Sequence, residues 1–552
     1  MTATDTSTYV LPIEQLTANL KNRPNETWLH QPTNGVWKSY TIAEVIDEGS
    51  RVANALLKQG IEPGDRVAIL AKNSYAWLAA DFGMMLAGII PVPIYSTASS
   101  ETIEYVLEHS EAKLCFVGKL DNCSAAQQSL ANIPVITLPD ANAQYAGALS
   151  WQGILDSSAP LDSYHSPKAD DMATIVYTSG STGKPKGVLL THGHLGAAAT
   201  ETKNRMVGGD QLHRMMSYLP LAHITERSVV AITSIYGQVE LFFSEGLETF
   251  VDELHHCQPT DFISVPRLWA KFQAKVLAQI PDEQLQDMLA GDGGDAVAAA
   301  IRDKLGFGSC RNYGSGSAPI APALLEWFQR IGVGIAEGWG MTETSGLACS
   351  NQPFTVEGMG TIGTPLACNE MKLSDDGEVL IRGAAIFEEY YKNPEATAES
   401  FIDGWFRTGD KGVKDENGAY RITGRVKEQF KTAKGKYVAP VPIESQLATN
   451  SLIEQVCVLG SGRPAPMAIV VLNDQGLSKE QIKSNIEKTL KEVNQQLESH
   501  ARLDRIAITE TTWDVGNDLL TPTMKLKRDK IEAFYRDPID CETESGVYWI
   551  DK

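Results

Sequence analysis

Short apolar runs alternate with amphipathic stretches through the first third of the chain. Residues 41–59 place apolar side chains at helical spacing, with Thr41 suited to cap the N-terminus and Gly60 to end the helix. The run RVAIL that follows predicts a buried strand, and EAKLCFVG and IPVITL predict further strands. This alternation predicts an α/β fold of layered helices and strands.

The pattern changes after about residue 370, where GEVLIRG, GWFRTGD and GAYRITGR predict short strands separated by Gly, Asp and Asn turns. Strands then alternate again with charged helices, such as SKEQIKSNIEKTLKEVNQQLESH. We therefore predict a large N-terminal domain, residues 1–424, with layered α/β subdomains and a small strand-rich region. A small α+β C-terminal domain, residues 425–552, is predicted to follow it.

Residues 75–95, YAWLAADFGMMLAGIIPVPIY, have the length and much of the hydrophobicity of a membrane span. However, Asp81 lies inside the segment, and Pro91 and Pro93 interrupt its end. The segment therefore predicts a buried helix that leads into a buried strand.

Composition limits the classes of function that need to be considered. A chain of 552 residues is too long for one ordinary core, and its net charge of −21 argues against a general nucleic-acid binder and against strong electrostatic docking on anionic membranes. The eight cysteines form no CxxC pair, which favours reduced thiols in a cytosolic protein. The N-terminus, MTATDTSTYV, lacks the pattern of a secretory signal.

The stretch YTSGSTGKPKGV, residues 177–188, lies between two strand-like runs and combines glycines, hydroxyl side chains and two lysines. Glycine lets backbone N–H groups approach phosphate oxygens closely, and Lys184 and Lys186 add positive charge. The stretch does not match the GxxxxGK[ST] phosphate loop, because Pro185 follows Gly183 and Lys184. On composition alone, a solvated hairpin remains an alternative to a phosphate-binding loop.

Further motifs follow in a fixed order, and together they carry a resemblance that spans nearly the whole chain. They are YLPLAHITER, GSGSAPI, EGWGMTETSG, GWFRTGD, ITGRVKEQFK and LTPTMKLKR. With the loop above, they resemble the adenylate-forming (AMP-binding) superfamily, and most closely its long-chain fatty-acid–CoA ligases. The resemblance implies that an acid attacks the α-phosphate of ATP to give acyl-AMP and pyrophosphate, and that the thiol of coenzyme A then displaces AMP.

The resemblance also assigns residues to the nucleotide and to Mg²⁺. Glu343 matches the family's magnesium ligand, with Ser179 completing the arrangement, and Thr342 faces the α-phosphate. Trp339 would stack on adenine and Asp410 would accept the ribose hydroxyls. The resemblance implies that the loop 179–186 wraps the β- and γ-phosphates, and that further residues contact the nucleotide. The loop residues are Ser179, Gly180, Ser181, Thr182, Gly183, Lys184 and Lys186, and the others are Gly316, Gly338 and Arg425.

Other residues are implied to act on the acyl group, on coenzyme A or in a domain rotation. Lys525 matches the lysine that reaches in from a mobile C-terminal domain to stabilise charge during adenylation. Lys427 occupies the hinge position, and Gly435 would line the pantetheine path after rotation. His223 would lie at the mouth of an acyl tunnel lined from residues 223–270. Outside this context, His223 would be interpreted as a hydrogen-bonded core histidine.

Some features depart from the family pattern. Glu388 and Glu389 stand near a position where the family commonly has glycine. We do not expect the membrane-anchoring N-terminus of eukaryotic long-chain enzymes. The expected substrates are a medium- to long-chain fatty acid, ATP and coenzyme A, in a cytoplasmic monomer or homodimer. Peripheral association with the inner membrane face stays open.

Rival interpretations of the function are an acyl-AMP ligase that serves a carrier protein, a luciferase-like oxygenase, and a nucleotide- or lipid-binding module without catalysis. Glu343, Asp410, Arg425 and Lys525 together argue against the last of these, because a binding module has no need of Lys525.

Overall fold

The structure is a computed structural model, and it describes residues 5–178, 184–207, 211–246, 248–450, 452–473, 476–514, 516–521, 525–541 and 546–550. The chain folds into mixed α/β layers, as the alternating pattern predicts. All eight cysteines lie in these ranges, and all are free thiols. Within the described residues, no helix is both long and apolar enough to cross a bilayer.

The first sheet is parallel, with helices packed on it. Its strands, in spatial order, are Ile90–Ile94, Arg66–Leu70, Cys115–Val117, Val135–Thr137 and Leu149–Ser150. The predicted amphipathic helix spans Ile42–Lys58, and the Thr41 side chain accepts the backbone N–H of Glu44 at its start. This helix packs closely on the helix Tyr75–Leu86. A Cβ at Gly49 would lie 2.4 Å from the carbonyl oxygen of Ala79, so only glycine allows the two helices to approach this closely.

The helix Tyr75–Leu86 is buried along its whole length and leads into a buried strand, as expected for residues 75–95. Its one carboxylate, on Asp81, pairs with Arg227 through bonds of 2.6 and 3.0 Å, and both side chains are 1% exposed. Arg227 also donates to the Thr174 hydroxyl at 2.5 Å. Removing either charge would leave the other unpaired in the core, at a cost of about 3–5 kcal/mol.

Three further sheets complete the larger part of the described fold. The first consists of His213–Ser217, Val239–Phe243, Thr27–Thr33 and Val36–Thr41, and the second of Asp261–Ser264, Asn312–Ser315, Ile335–Met341, Gly346–Ser350 and Thr364–Pro365. The third contains the strand-rich region predicted after residue 370, with strands Asn369–Leu373, Glu378–Gly383, Trp405–Lys414, Phe401–Ile402 and Tyr420–Arg425. Strands Met172–Thr178 and Lys186–Thr191 form a separate antiparallel hairpin.

Residues from about 430 onward pack around cores of their own. Their sheet has the order Ile453–Leu459, Met467–Leu472, Arg505–Thr509 and Gly546–Trp549, and Phe430–Lys431 pairs with Tyr437–Val438 as a hairpin. The helices of this part are Pro440–Leu447, Lys479–Gln496, Arg528–Phe534 and Arg536–Cys541. The division of the chain at residues 424 and 425 stays a prediction.

Shorter helices connect the strands of the larger part. The α-helices not yet given are Pro12–Asn22, Ser100–Ser110, Cys123–Ser129, Trp151–Ser157, His192–Thr202, Thr233–Tyr236, Phe250–Cys257, Pro266–Leu277, Asp282–Ala290, Gly294–Lys304, Pro322–Arg330 and Pro394–Ser400. Short 3₁₀ turns span Thr6–Thr8 and Thr342–Thr344, and π-helical turns span Lys203–Val207 and Thr225–Ile232.

Candidate active site

The glycine- and hydroxyl-rich loop joins the two strands of the antiparallel hairpin, which are in register with Val176 opposite Val188. Its predicted phosphate-binding residues Ser179, Gly180, Ser181, Thr182 and Gly183 lie outside the described residues. Lys184 is described just before the second strand, and Lys186 is the first residue of that strand. The Lys184 ammonium lies 5.2 Å from the centre of the Tyr105 ring, and the Lys186 ammonium lies 4.7 Å from the centre of the Tyr390 ring.

Tyr390 connects this hairpin to Glu343. The Tyr390 hydroxyl donates to Glu343 Oε1 at 2.8 Å, and burial raises the pKa of Tyr390, so the hydroxyl keeps its proton. The backbone is linked at the same place, because Phe387 N–H donates to the Glu343 carbonyl at 2.9 Å and Tyr391 N–H donates to the Gly187 carbonyl at 2.8 Å. The segment around residues 387–391 therefore fixes the distance between the hairpin and Glu343.

Glu343 belongs to the short turn Thr342–Thr344, which follows the strand Ile335–Met341. Thr342 is 8% exposed, and its carbonyl accepts the backbone N–H of Ser345 at 3.0 Å. Within the described residues there is no group of three or more His, Cys, Asp or Glu side chains that could hold a metal ion. Glu343 therefore offers a cation a single carboxylate. This fits Mg²⁺, which usually keeps several waters and takes its remaining ligands from substrate phosphates.

Asp410 lies at the centre of a second group. The Trp339 indole N–H donates to Asp410 Oδ2 at 2.9 Å, and the Arg425 guanidinium contacts Asp410 Oδ1 at 2.9 Å. Asp410 and Arg425 face each other across the antiparallel strands Trp405–Lys414 and Tyr420–Arg425. Burial raises the pKa of Asp410, while the positive charges of Arg425 and Lys525 and the Trp339 hydrogen bond act against that rise.

Lys525 joins this group from the C-terminal part of the chain. Although its side chain is exposed, desolvation by the surrounding protein lowers its pKa, and Arg425 lowers it further; Asp410 and Glu343 oppose the shift. Two hydrogen bonds join the Lys525 backbone to Thr521. The Thr521 N–H donates to the Lys525 carbonyl at 2.8 Å, and the Lys525 N–H donates to the Thr521 hydroxyl at 3.1 Å.

The neighbouring cations are engaged elsewhere. Lys527 forms an ion pair with Asp518, and Arg528 forms one with Glu444, both within the C-terminal part. The structure thus brings Lys525 into electrostatic range of Asp410 and Glu343, while Lys527 and Arg528 pair with other carboxylates.

His223 lies just before the π-helical turn Thr225–Ile232. Its Nδ1 accepts the backbone N–H of Thr225 at 3.2 Å, which places the proton of the neutral ring on Nε2. Burial lowers the pKa of His223 to about 4, and the positive charge of Lys525 contributes. His223 is therefore neutral at physiological pH, and Nε2 can act as a hydrogen-bond donor.

A cavity lies beside these groups, with about 760 Å³ of empty space that is partly open to solvent. Thr225 and Val229 of the π-helical turn form one wall, while Trp339 lies at the nucleotide end. Gly316 and Gly338 line the same end, and a Cβ at Gly338 would lie 2.8 Å from the Leu347 side chain, so a larger residue would narrow the cavity. The lining comes from Met206 and Met215, from part of the segment 223–270, and from residues 312–352. That this cavity is the predicted acyl tunnel stays a prediction.

The predicted hinge and thiol-path residues lie apart from this cavity. Lys427 is exposed in the turn that follows the strand Tyr420–Arg425. Gly435 occupies the exposed tip of the hairpin formed by Phe430–Lys431 and Tyr437–Val438, with a φ of 78°.

The sequence is similar to known proteins along most of its length. Residues 16–391 match the family model of the AMP-binding enzymes, and residues 427–542 match the model of an AMP-binding enzyme C-terminal domain. The chain belongs to the AMP-binding enzyme family.

The chain is 31% identical to the long-chain-fatty-acid–CoA ligase FadD15 of Mycobacterium bovis, over 92% of each chain. It is 30% identical to long chain acyl-CoA synthetase 1 of Arabidopsis thaliana, over 92% of this chain and 87% of that one. The fold is also that of the anthranilate CoA ligase AuaEII, solved with anthranoyl-AMP. The TM-score is 0.80 at 23% identity, over 97% of this chain and 99% of that one.

Two features of the site are not apparent from the sequence motifs. Tyr390, the hydrogen-bond partner of Glu343, lies in IFEEYYKNP, where the sequence drew attention only to Glu388 and Glu389; both of those side chains are exposed. Polar residues also line the end of the cavity remote from Trp339, and no motif includes them.

Proposed function

We propose that the chain is an ATP-dependent acid–thiol ligase that activates a medium- to long-chain fatty acid and transfers it to coenzyme A. The observation that carries this proposal is the convergence of Lys525, Glu343 and the Trp339–Asp410–Arg425 group beside one cavity. Membership in the AMP-binding enzyme family and the names of the two relatives support it.

In the first step, a carboxylate oxygen of the acid bonds to the α-phosphorus of ATP, and the bond from that phosphorus to pyrophosphate breaks. Asp410 and Trp339 would hold the ribose and the adenine, while Lys525 would stabilise the negative charge redistributed on the α-phosphate. The neutral His223 would donate from Nε2 at the acyl end. Holding both reactants in one orientation removes much of the entropic cost of their encounter.

In the second step, the thiolate of coenzyme A bonds to the acyl carbon, and the bond to AMP breaks.

Glu343 would hold Mg²⁺ during the first step with the oxygen that Tyr390 leaves free, and the ion would neutralise phosphate charge during adenylation. The cytoplasmic location, the oligomeric state and peripheral association with a membrane stay predictions.

The test of this function is pyrophosphate release across a panel of carboxylic acids, with and without coenzyme A. We expect kcat/KM to rise by about fourfold per added methylene until the cavity is full, because each buried methylene contributes about 0.8 kcal/mol. A flat profile, or a preference for acetate or benzoate, would contradict the assignment. A holo-carrier protein in place of coenzyme A tests the alternative acceptor.

A further inference from the structure

The cavity beside Trp339 follows three parallel strands. Their register sets Asp261 opposite Asn312, and Ile263 opposite Gly314, which in turn faces Ala336 on the next strand. Because side chains alternate between the faces of a strand, these residues share one face of the sheet. All five line the cavity.

The direction of the strands gives the cavity two different ends. Their carboxyl ends lead to Gly316 and Trp339, where the nucleotide-binding residues lie. Their amino ends carry Asp261 and Asn312. Gly316 lies four positions after Asn312, which corresponds to about 13 Å along a strand. An extended alkyl chain of roughly ten carbons covers this distance, since C–C bonds of about 1.5 Å each advance about 1.3 Å.

The middle of the cavity is apolar, with Met215, Val229 and Leu347 among its lining residues. Glycine and alanine on the strands leave room for a chain between these side chains and the sheet. This section suits methylene groups.

The far end is polar and is held by a hydrogen-bond network. Asp261, 4% exposed, accepts hydrogen bonds of 2.6 Å from the Thr260 hydroxyl, from Asn312 Nδ2 and from His213 Nδ1. Gln352 Nε2 donates to Asn312 Oδ1 at 3.0 Å. Among the described residues, His213 Nε2 is buried without a hydrogen-bond partner.

Asn312 Nδ2 also donates to the Met206 carbonyl at 3.3 Å, but Asp261, which lines the cavity, retains hydrogen-bonding capacity. A carboxylate offers about four acceptor sites, and Asp261 uses three of them. A terminal methyl group placed here would lie against the polar groups of Asp261, Asn312 and Gln352 without forming a hydrogen bond to them, which is unfavourable. A hydroxyl group could replace them, whereas a second carboxylate would meet the negative charge of Asp261.

We propose that Asp261, Asn312 and Gln352 form the distal end of the acyl-binding pocket, and that they select acids of about ten carbons bearing a hydroxyl group at the end remote from the carboxylate. The inference rests on the proposed acid-activating function and narrows its substrate class. It makes these three residues determinants of specificity that contact the substrate far from the reacting carboxylate.

The test compares kcat/KM for pyrophosphate release with decanoate, 10-hydroxydecanoate, decanedioate and dodecanoate. We expect the wild type to prefer 10-hydroxydecanoate over decanoate by about tenfold, as one additional satisfied hydrogen bond implies. Decanedioate and dodecanoate should be poorer than 10-hydroxydecanoate. Preference for decanoate, dodecanoate or decanedioate over the hydroxy acid would overturn the proposal without the need for any variant.

Variants then locate the preference. Gln352→Leu and Asn312→Leu keep similar volumes and remove polar groups, so each should reduce the tenfold ratio to about one or below. Gln329→Leu, an exposed glutamine on the helix Pro322–Arg330, is the matched control and should keep the wild-type ratio. If one of these two pocket variants folds and still prefers 10-hydroxydecanoate over decanoate by about tenfold, the assignment of these residues is overturned. Absence of pyrophosphate release with every acid would instead contradict the proposed function itself.

Discussion

At the scale of single residues, the contact between Tyr390 and Glu343 gives a test of the metal site. Glu343→Gln removes a charged oxygen ligand, and we expect adenylation to fall by about 10²-fold or more, with a changed dependence on Mg²⁺. Tyr390→Phe removes only the 2.8 Å hydrogen bond and should cause a smaller loss, mainly as weaker apparent affinity for Mg²⁺. Pyrophosphate release titrated with Mg²⁺ measures both effects.

Tyr391→Phe is the matched control, because Tyr391 is adjacent in sequence but its ring makes an edge-to-face contact with His109, at 5.8 Å between ring centres. It should retain the wild-type Mg²⁺ titration. An unchanged Mg²⁺ titration in Glu343→Gln would show that Glu343 is not part of the metal site. A defect in Tyr391→Phe equal to that of Tyr390→Phe would show that the loss does not depend on the hydrogen bond to Glu343.

Residues inside recognisable motifs are those whose positions the sequence can predict. Trp339, Asp410 and Arg425 each lie in a motif, and the structure brings them within hydrogen-bonding distance of one another through Asp410. Tyr390 lies 47 positions after Glu343, and its role depends on the pairing of its segment with the hairpin strand that contains Val188. Such a contact depends on tertiary structure, so local pattern does not reveal it.

At the scale of elements, hydrophobic periodicity locates strands and helices but does not say which strands become neighbours. The predicted helix over 41–59 and the structural helix Ile42–Lys58 agree closely, because capping and amphipathicity are local properties. The pairing of Asp261 with Asn312 joins positions 51 residues apart and depends on the order of strands in the sheet. For that reason the polar end of the cavity could not be predicted.

The π-helical turn Thr225–Ile232 contains a buried glutamate that makes the stability of the fold depend on pH. Burial raises the pKa of Glu226 to about 8, and the Ser217 hydroxyl and the backbone amides of Tyr218 and Leu219 only partly offset this. The folded state therefore holds a proton that the unfolded chain releases above its ordinary pKa of 4.5. This contribution to stability is fully present below pH 4.5 and is lost as pH rises through about 8.

We expect Glu226→Gln, which resembles the protonated form, to be more stable than the wild type near pH 8 by on the order of a few kcal/mol, with the difference shrinking toward pH 4.5. Denaturant unfolding at several pH values measures the difference. Glu283→Gln, which changes an exposed glutamate, should show no such trend. A constant difference between Glu226→Gln and wild type at every pH would rule out titration of Glu226 as the cause.

At the scale of the whole molecule, the C-terminal part contacts the larger part in a way that suits adenylation. Lys525 lies within electrostatic range of Asp410 and Glu343, and Arg267 on the helix Pro266–Leu277 forms an ion pair with Glu454 of the C-terminal sheet. Gly435 is exposed, and of the described residues a Cβ at this position would have only Lys431 within 4 Å. Motifs identify both Lys525 and Gly435. They do not indicate which of the two residues faces the site in this structure, because the same sequence must serve both half-reactions, each in its own orientation of the C-terminal part.

This arrangement predicts opposite defects in the two half-reactions. Lys525→Ala should greatly reduce pyrophosphate release, yet convert supplied acyl-AMP and coenzyme A to thioester at a near-normal rate, because the lysine acts only while charge is redistributed on the α-phosphate. Gly435→Leu should do the reverse by obstructing the thiol path after rotation about Lys427. Each loss should appear in the step whose transition state the residue contacts.

Gly435 has a φ of 78°, so leucine there also strains the backbone, at about 1–2 kcal/mol. Gly404→Leu supplies the control, because Gly404 has a φ of 76° in an equally open turn of the larger part. It should carry the same strain and leave both half-reactions intact. Equal slowing of both steps in Lys525→Ala would make the lysine structural or show that one orientation serves both reactions. If Lys527→Ala alone impaired adenylation, the mechanism would stand but Lys527 would replace Lys525 as the adenylation lysine. The ion pair between Lys527 and Asp518 argues against that outcome.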